Sequence, residues 1–146
     1  MVTINVYLTF NGNCREAFDF YRSVFGGEFS AVSTFEEMPP QEGMPPIPDN
    51  MKDRLMHISL SISKETMLMG SDTGGEWAKD FKEGNNFSLS VNADTAQEVD
   101  KIFSALAKGG NITMPADKTF WGSYFGMLKD KFGISWMVSC ELSPHS

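Results

Sequence analysis

Residues 119–139 read TFWGSYFGMLKDKFGISWMVS, and this stretch decides the fold. It carries six aromatic residues and divides into two runs, 120–128 and 134–139, joined by Lys129-Asp130-Lys131-Phe132-Gly133. A short join ending in glycine between two alternating runs predicts a hairpin with a bulge. Successive strand residues point to opposite faces. Trp121, Ser123, Phe125 and Met127 therefore share one face, and Phe120, Gly122, Tyr124, Gly126 and Leu128 the other. In the second run Ile134, Trp136 and Val138 oppose Ser135, Met137 and Ser139. The reading places Phe120, Trp136 and Val138 under a helix, with Trp121, Phe125 and Met137 on the open side.

The same two-faced alternation recurs upstream. Residues 3–10 set Ile4, Val6, Leu8 and Phe10 against Asn5, Tyr7 and Thr9, the pattern of a half-buried strand. Asn11-Gly12 turns the chain. Asn13 then caps a helix with Glu16 in capping-box position, and Ala17, Phe18, Tyr21 and Phe25 form its stripe before Gly26-Gly27. Strands follow over 28–35, 54–63 and 66–70. The third strand sets Met56, Ile58, Leu60 and Ile62 against His57, Ser59, Ser61 and Ser63. Between them residues 36–53 hold five prolines and no period, which predicts a loop, a solvated excursion or a lid over a site. Met38, Met44 and Met51 in that loop suggest an adaptable apolar surface.

The order then repeats. After a polar, Gly-rich connection anchored by Trp77 and Phe81, residues 86–92 alternate Phe87, Leu89 and Val91 with Asn86, Ser88, Ser90 and Asn92. A helix capped by Asp94 or Thr95 runs to Ala107 with Val99, Ile102, Phe103 and Leu106 inward. Residues 111–114 form a short strand, 115–118 a connection, and the aromatic hairpin completes the unit. The predicted fold class is α+β: two βαβββ modules, about 1–72 and 84–142, forming a curved, eight-stranded, mostly antiparallel sheet with the helices outside. The whole chain, 1–146, is expected to be one domain.

Composition narrows the partners. A net charge of −7 disfavours nucleic acid and anionic membrane surfaces. No run reaches the roughly 20 apolar residues of a membrane-spanning helix. The opening residues lack a basic, cleavable leader, and two cysteines make no disulfide framework, so a cytoplasmic location is expected. The open faces are hydroxyl-rich with two aromatics, which suits a small-molecule pocket, a solvated face or a dimer seam. His57 is the histidine within the strand pattern, His145 lying in the tail. Its imidazole suits general acid–base work, ligand contact or hydrogen bonding to neighbouring hydroxyls. Cys14, at a helix start beside Arg15, is a position where a thiolate would be favoured, or a covered first-turn residue. Cys140 reads as structural. Asp72 ends a strand, where its carboxylate would contact a ligand or cap the next turn.

Three segments carry a family resemblance: YLTFNGNCREAFDFY, MHISLSI with LMGSD, and FWGSYFGMLKDKFGISWMVS. With the paired modules, they resemble PhnB-like proteins, also labelled 3-demethylubiquinone-9 3-methyltransferase-like. These belong to the vicinal oxygen chelate superfamily of glyoxalase I, bleomycin-resistance proteins and extradiol dioxygenases. The resemblance implies a ligand cup and a homodimer. It also implies four ligand positions in the metal-dependent members, which fall here on Asn5, Met69 or a neighbour, Asn86 and Met137. Two amides and two thioethers there imply no catalytic metal and no cofactor. The expected function is binding of an unidentified small molecule by Asn5, Tyr7, His57, Ser59, Met69, Asp72, Asn86, Ser88, Trp121, Phe125 and Met137. The alternative is a lyase, isomerase or transferase using His57 as acid or base. A SAM-dependent methyltransferase and an interaction scaffold are the remaining readings. Gly26-Gly27 and Gly109-Gly110 end helices, the wrong side for a cofactor-binding turn.

Overall fold

A computed structural model describes residues 2–39, 42–43 and 46–142, with the side chains of Glu76 and Trp77 also outside the description. Met44, the Trp77 anchor and His145 therefore lie outside the described groups. Two compact units are present, Met1–Lys82 and Glu83–Ser146.

The first unit runs β1 (Val6–Phe10), α1 (Cys14–Phe25), β2 (Glu28–Thr34), β3 (Leu55–Ser61) and β4 (Met67–Asp72). Its sheet has the order β1-β4-β3-β2, with β1 parallel to β4 and the remaining pairs antiparallel. The second unit runs β5 (Leu89–Asn92), α2 (Ala96–Ala107), β6 (Asn111–Lys118), β7 (Ser123–Lys129) and β8 (Ser135–Glu141). Its order, β5-β8-β7-β6, repeats the first, again with one parallel pair, β5 with β8. The eight expected strands are thus hydrogen-bonded as two sheets of four.

Each sheet buries one face under its own helix. In the first unit Leu8, Phe10, Ile58, Leu60 and Leu68 meet Cys14, Ala17, Phe18 and Tyr21 of α1, all buried. Phe18 edges onto Phe10 and Tyr21, with centroids 6.2 and 5.8 Å apart. Fully burying such a ring stabilises by about 2–3 kcal/mol. In the second unit Val99, Phe103 and Leu106 of α2 cover Leu128, Trp136, Val138 and Cys140.

A glycine makes room for the helix phenylalanine in each unit. A Cβ on Gly70 would stand 2.7 Å from the Phe18 ring and 2.8 Å from the Leu8 carbonyl oxygen. A Cβ on Gly126 would stand 2.7 Å from the Phe103 ring and 2.9 Å from Ala116 Cα. Gly70 pairs with Ile58 and Gly126 with Val138. The glycine sits on β4 in one unit and on β7, the counterpart of β3, in the other. The packing solution is shared, but its register is exchanged between strands.

Several sequence boundaries shift. Residues 3–5 and 86–88 precede β1 and β5 rather than belonging to them. Phe120 is not under a helix: it is 98% exposed, in the turn between β6 and β7. Strand β6 continues through Pro115 to Lys118, which the sequence reading treated as a connection. Proline is tolerated there because β6 is an edge strand with register shifts at Ile112/Met114 and Met114/Asp117. Edge strand β2 has similar shifts.

The proline-rich segment is held at both ends. Phe35 N donates to Arg54 O, and Glu36 N to Lys52 O, continuing the β2–β3 approach through short 3₁₀ turns at Phe35–Glu37 and Asp49–Met51. Met51 is buried with its Cε near Gly74, so it is a core residue rather than part of an exposed apolar surface.

Candidate functional site

The first unit's open face carries the residues with most chemistry. Tyr7 on β1, Met69 on β4 and Ser59 on β3 share one row, because Tyr7 pairs with Met69 and Met69 with Ser59. His57 lies two residues along β3 from Ser59, on the same face. Its Nδ1 is 3.3 Å from Tyr7 Oη and its Nε2 is 2.8 Å from Ser59 Oγ. The Tyr7 and His57 rings are 5.7 Å apart at a tilt. Ser59 is buried, His57 half-buried and Tyr7 47% exposed, so the chain of bonds runs from the sheet out to solvent. Of the residues expected in a site, these four come together.

The others in this unit separate. Asn5 is exposed ahead of β1. Asp72 faces the helix side, buried, and its carboxylate accepts from backbone: Oδ1 from Gly12 N and Cys14 N, and Oδ2 from Leu55 N, each at 2.9 Å. This carboxylate ties the β1–α1 turn to the start of β3, which redirects Asp72 from ligand contact to structure. It also supplies the acceptor that Asn13 was expected to provide, since Asn13 makes no side-chain cap bond. Arg54 reinforces the junction through Nη1, which donates to Asn11 Oδ1 at 3.0 Å and Thr73 O at 2.6 Å.

Cys14 loses its thiolate reading for the same reason. Burial, followed by the Asp72 charge, pushes its thiol well above the ordinary range, and nearby Arg15 opposes this only in part.

The second unit's open face is different in kind. Met114, Met127, Met137 and Ser90 form a row across β6, β7, β8 and β5. The adjoining row is Asp117, Phe125, Ser139 and Asn92. Trp121 packs on Phe125 at 5.9 Å, and Phe120 on Trp121 at 4.9 Å. Trp121 and Phe125 therefore do cluster, with Met137 on the same face in the neighbouring row, whereas Asn86 and Ser88 are exposed ahead of β5. Sequence reasoning omitted Met127 and Met114 from the site. Alternation with Phe125 already placed Met127 there, but Met114 depended on β6 being longer than expected.

Asp130 was also missed, being read as part of a plain turn. Buried, it accepts from Phe132 N and Ile134 N through Oδ1 and from Trp136 Nε1 through Oδ2. On the helix side, Tyr124 donates to Asp100 Oδ1 at 2.6 Å, and that bond raises the phenol above its ordinary range.

A family model described as 3-demethylubiquinone-9 3-methyltransferase matches residues 2–139. The chain belongs to that family. It is similar to protein YjdN of Escherichia coli strain K12, 30% identical over 141 residues that cover 93% of each protein. The crystal structure of PA1353 from Pseudomonas aeruginosa matches with a TM-score of 0.83 and 39% identity, over 98% of this chain and 100% of that one. A PhnB protein from Bacillus cereus matches with a TM-score of 0.74 and 28% identity, over 95% and 99%. The PhnB-like assignment follows. A glyoxalase/bleomycin resistance protein/dioxygenase family enzyme from Burkholderia phytofirmans, 18% identical, matches with a TM-score of 0.60 over 93% and 97%. The expected glyoxalase/bleomycin-resistance fold is the one present.

The four positions where the sequence resemblance placed metal ligands carry an unsuitable donor set. Asn5 and Asn86 lie outside the strands, and Met69 and Met137 offer thioethers. Among the described residues, no three His, Cys, Asp or Glu gather to hold a metal ion. Amide and thioether donors do not match a divalent cation that favours carboxylate and imidazole.

Proposed function

We propose that the protein binds a small molecule on the open face of its first sheet, at Tyr7, His57, Ser59 and Met69. The observation that carries this is the hydrogen-bonded chain Tyr7–His57–Ser59 leading from a buried hydroxyl to an exposed phenol. Convergent polar groups beside an apolar residue, here Met69, are the ordinary composition of a ligand site. Trp121 and Phe125, with Met137 and Met127 on the same face, give the second unit an apolar surface of its own for ligand contact.

Two other activities are less well supported. Both ring nitrogens of His57 are already bonded, which disfavours the histidine itself as the group that meets a substrate. Methyl transfer from a nucleotide cofactor draws support only from the family's description. The N-terminus of α1, where a helix can receive an anionic group, is occupied by the protein's own Asp72 carboxylate.

The test is a two-dimensional NMR titration against a broad library of small acids, carbonyl compounds and aromatics. Saturable shifts at Tyr7, His57 and Ser59 are expected. A library that leaves all three unmoved rejects the reading.

A homodimer is the second part of the proposal. Ile4, 95% exposed, and Val2 directly precede edge strand β1, where a second copy would cover them. Light scattering should give twice the 16.2 kDa chain mass, and a monomer alone would refute it.

A further inference from the structure

We infer that the Tyr7 hydroxyl is a dedicated outward hydrogen-bond donor, held so by a fixed His57 tautomer, and that the ligand presents it with an acceptor oxygen, as a carbonyl or carboxylate does. This deepens the binding reading above and rests on it.

The direction of the chain follows from Ser59. Its Oγ belongs to a buried residue, and among the described residues its side chain has one partner, His57 Nε2 at 2.8 Å. A hydroxyl carries one proton, and leaving a buried proton unbonded costs about 1–3 kcal/mol. The Ser59 proton therefore goes to Nε2, which must then be the unprotonated nitrogen. Neutral imidazole carries its hydrogen on the other atom, so Nδ1–H donates to Tyr7 Oη, 3.3 Å away. The phenol oxygen thus accepts from within the protein. Its own proton has no acceptor among the described residues and points to the exposed end of the chain. Bonds in series polarise one another in one direction, which strengthens the phenol as a donor. Met69, paired in register with Tyr7, supplies the apolar seat beside it.

With the tautomer reversed, Tyr7 would spend its proton on Nδ1 and present lone pairs, selecting donors instead. The two arrangements select opposite ligand chemistry.

The tautomer is measurable without a ligand. Long-range ¹H–¹⁵N correlation at about pH 8.5, above the usual imidazole titration, should show His57 mainly as Nδ1–H. Ser59→Ala, which removes the donor to Nε2, should move the population to Nε2–H; a merely structural serine would leave the tautomer unchanged. A majority of Nε2–H in the unsubstituted protein, or an unmoved population in Ser59→Ala, overturns the inference. Benzoate then probes the acceptor. It should bind saturably, and Tyr7→Phe should weaken it about tenfold, as loss of a bond to a charged group does. No binding of benzoate, or equal affinity in Tyr7→Phe, overturns the acceptor assignment. Library compounds lacking an acceptor oxygen that still shift Tyr7 would leave the binding reading standing and this inference rejected.

Discussion

The two units share a strand order and differ in almost everything that braces it. In the first, a buried aspartate at the end of β4 reaches across to the β1–α1 turn and to β3, joining residues 12, 14 and 55 to 72. In the second, a buried aspartate serves one hairpin, with Asp130 gathering residues 132, 134 and 136. Each accepts at least three N–H groups, those of Asp72 from distant segments and those of Asp130 from its own hairpin. α1 lacks a side-chain cap bond, whereas in α2 Thr95 Oγ1 accepts from Glu98 N and Glu98 Oε1 accepts from Asp94 N. The open faces diverge too, one a hydroxyl–imidazole chain and the other a methionine row. The repeated topology therefore constrains which strands pair, while the polar anchors and surface chemistry vary freely between copies.

The strongest way to break this comparison is to remove the two aspartates. Asp72→Ala leaves three donors of the first unit without an acceptor and should cost about 4 kcal/mol in denaturant unfolding. Asp130→Ala should cost about 3 kcal/mol, since the hairpin it braces is local in sequence and keeps its β7–β8 backbone pairing. Hydrogen exchange should locate the first loss at Gly12, Cys14 and Leu55 and the second at Phe132 and Ile134. Equal losses spread over both units would contradict the separation.

Next come the glycines under the helix rings. Gly70→Ala and Gly126→Ala should each cost about 2 kcal/mol from overpacking. Trimming Phe18 or Phe103 to Leu in the same chain should recover only part of it, because backbone atoms also stand within 3 Å of the added carbon. Full recovery would assign the whole conflict to the rings.

Smaller still is the capping contrast. Thr95→Ala should lower stability by about 1 kcal/mol, and Asn13→Ala by clearly less. Comparable losses would mean that Asn13 caps α1 in solution.

The smallest effect is alkaline. The Cys14 thiol is raised in the folded chain above its unfolded value, so its contribution is fully present below about pH 9 and is lost as pH rises. Cys14→Ala should flatten the decline of stability above that pH. A folded protein whose Cys14 reacts with a thiol reagent as fast as the unfolded chain would refute its burial.

Most of the fold was legible because period-two alternation and helical stripes record which side of each element is buried. Leu8, Phe18, Ile58, Phe103 and Val138 all sat where those patterns put them. Strand ends were not legible, because a strand stops where its partner stops. Thr3–Asn5 alternates as well as Tyr7–Phe10, but β1 pairs with β4 only from Val6 opposite Leu68. The same limit removes Asn86 and Ser88, since β5 meets β8 only from Leu89 opposite Trp136. Phe120 failed for a related reason: Thr119 bonds to Ser123 through backbone and side chain, so a turn interrupts the alternation there. At the site, shared facing was readable for Tyr7, His57, Ser59 and Met69, but the long-range tie made by Asp72 depends on topology that spacing does not encode.

The register shifts in β2 and β6 have a consequence for assembly. Each sheet has two rims, and an extra strand can dock only on a rim whose backbone donors and acceptors repeat evenly. The shifted rims β2 and β6, the latter also carrying Pro115, cannot template such growth. Only β1 and β5 present an evenly spaced rim, and at five and four residues both are short. Any added strand is thereby confined to one side of each sheet, so strand addition has two short rims per chain instead of four.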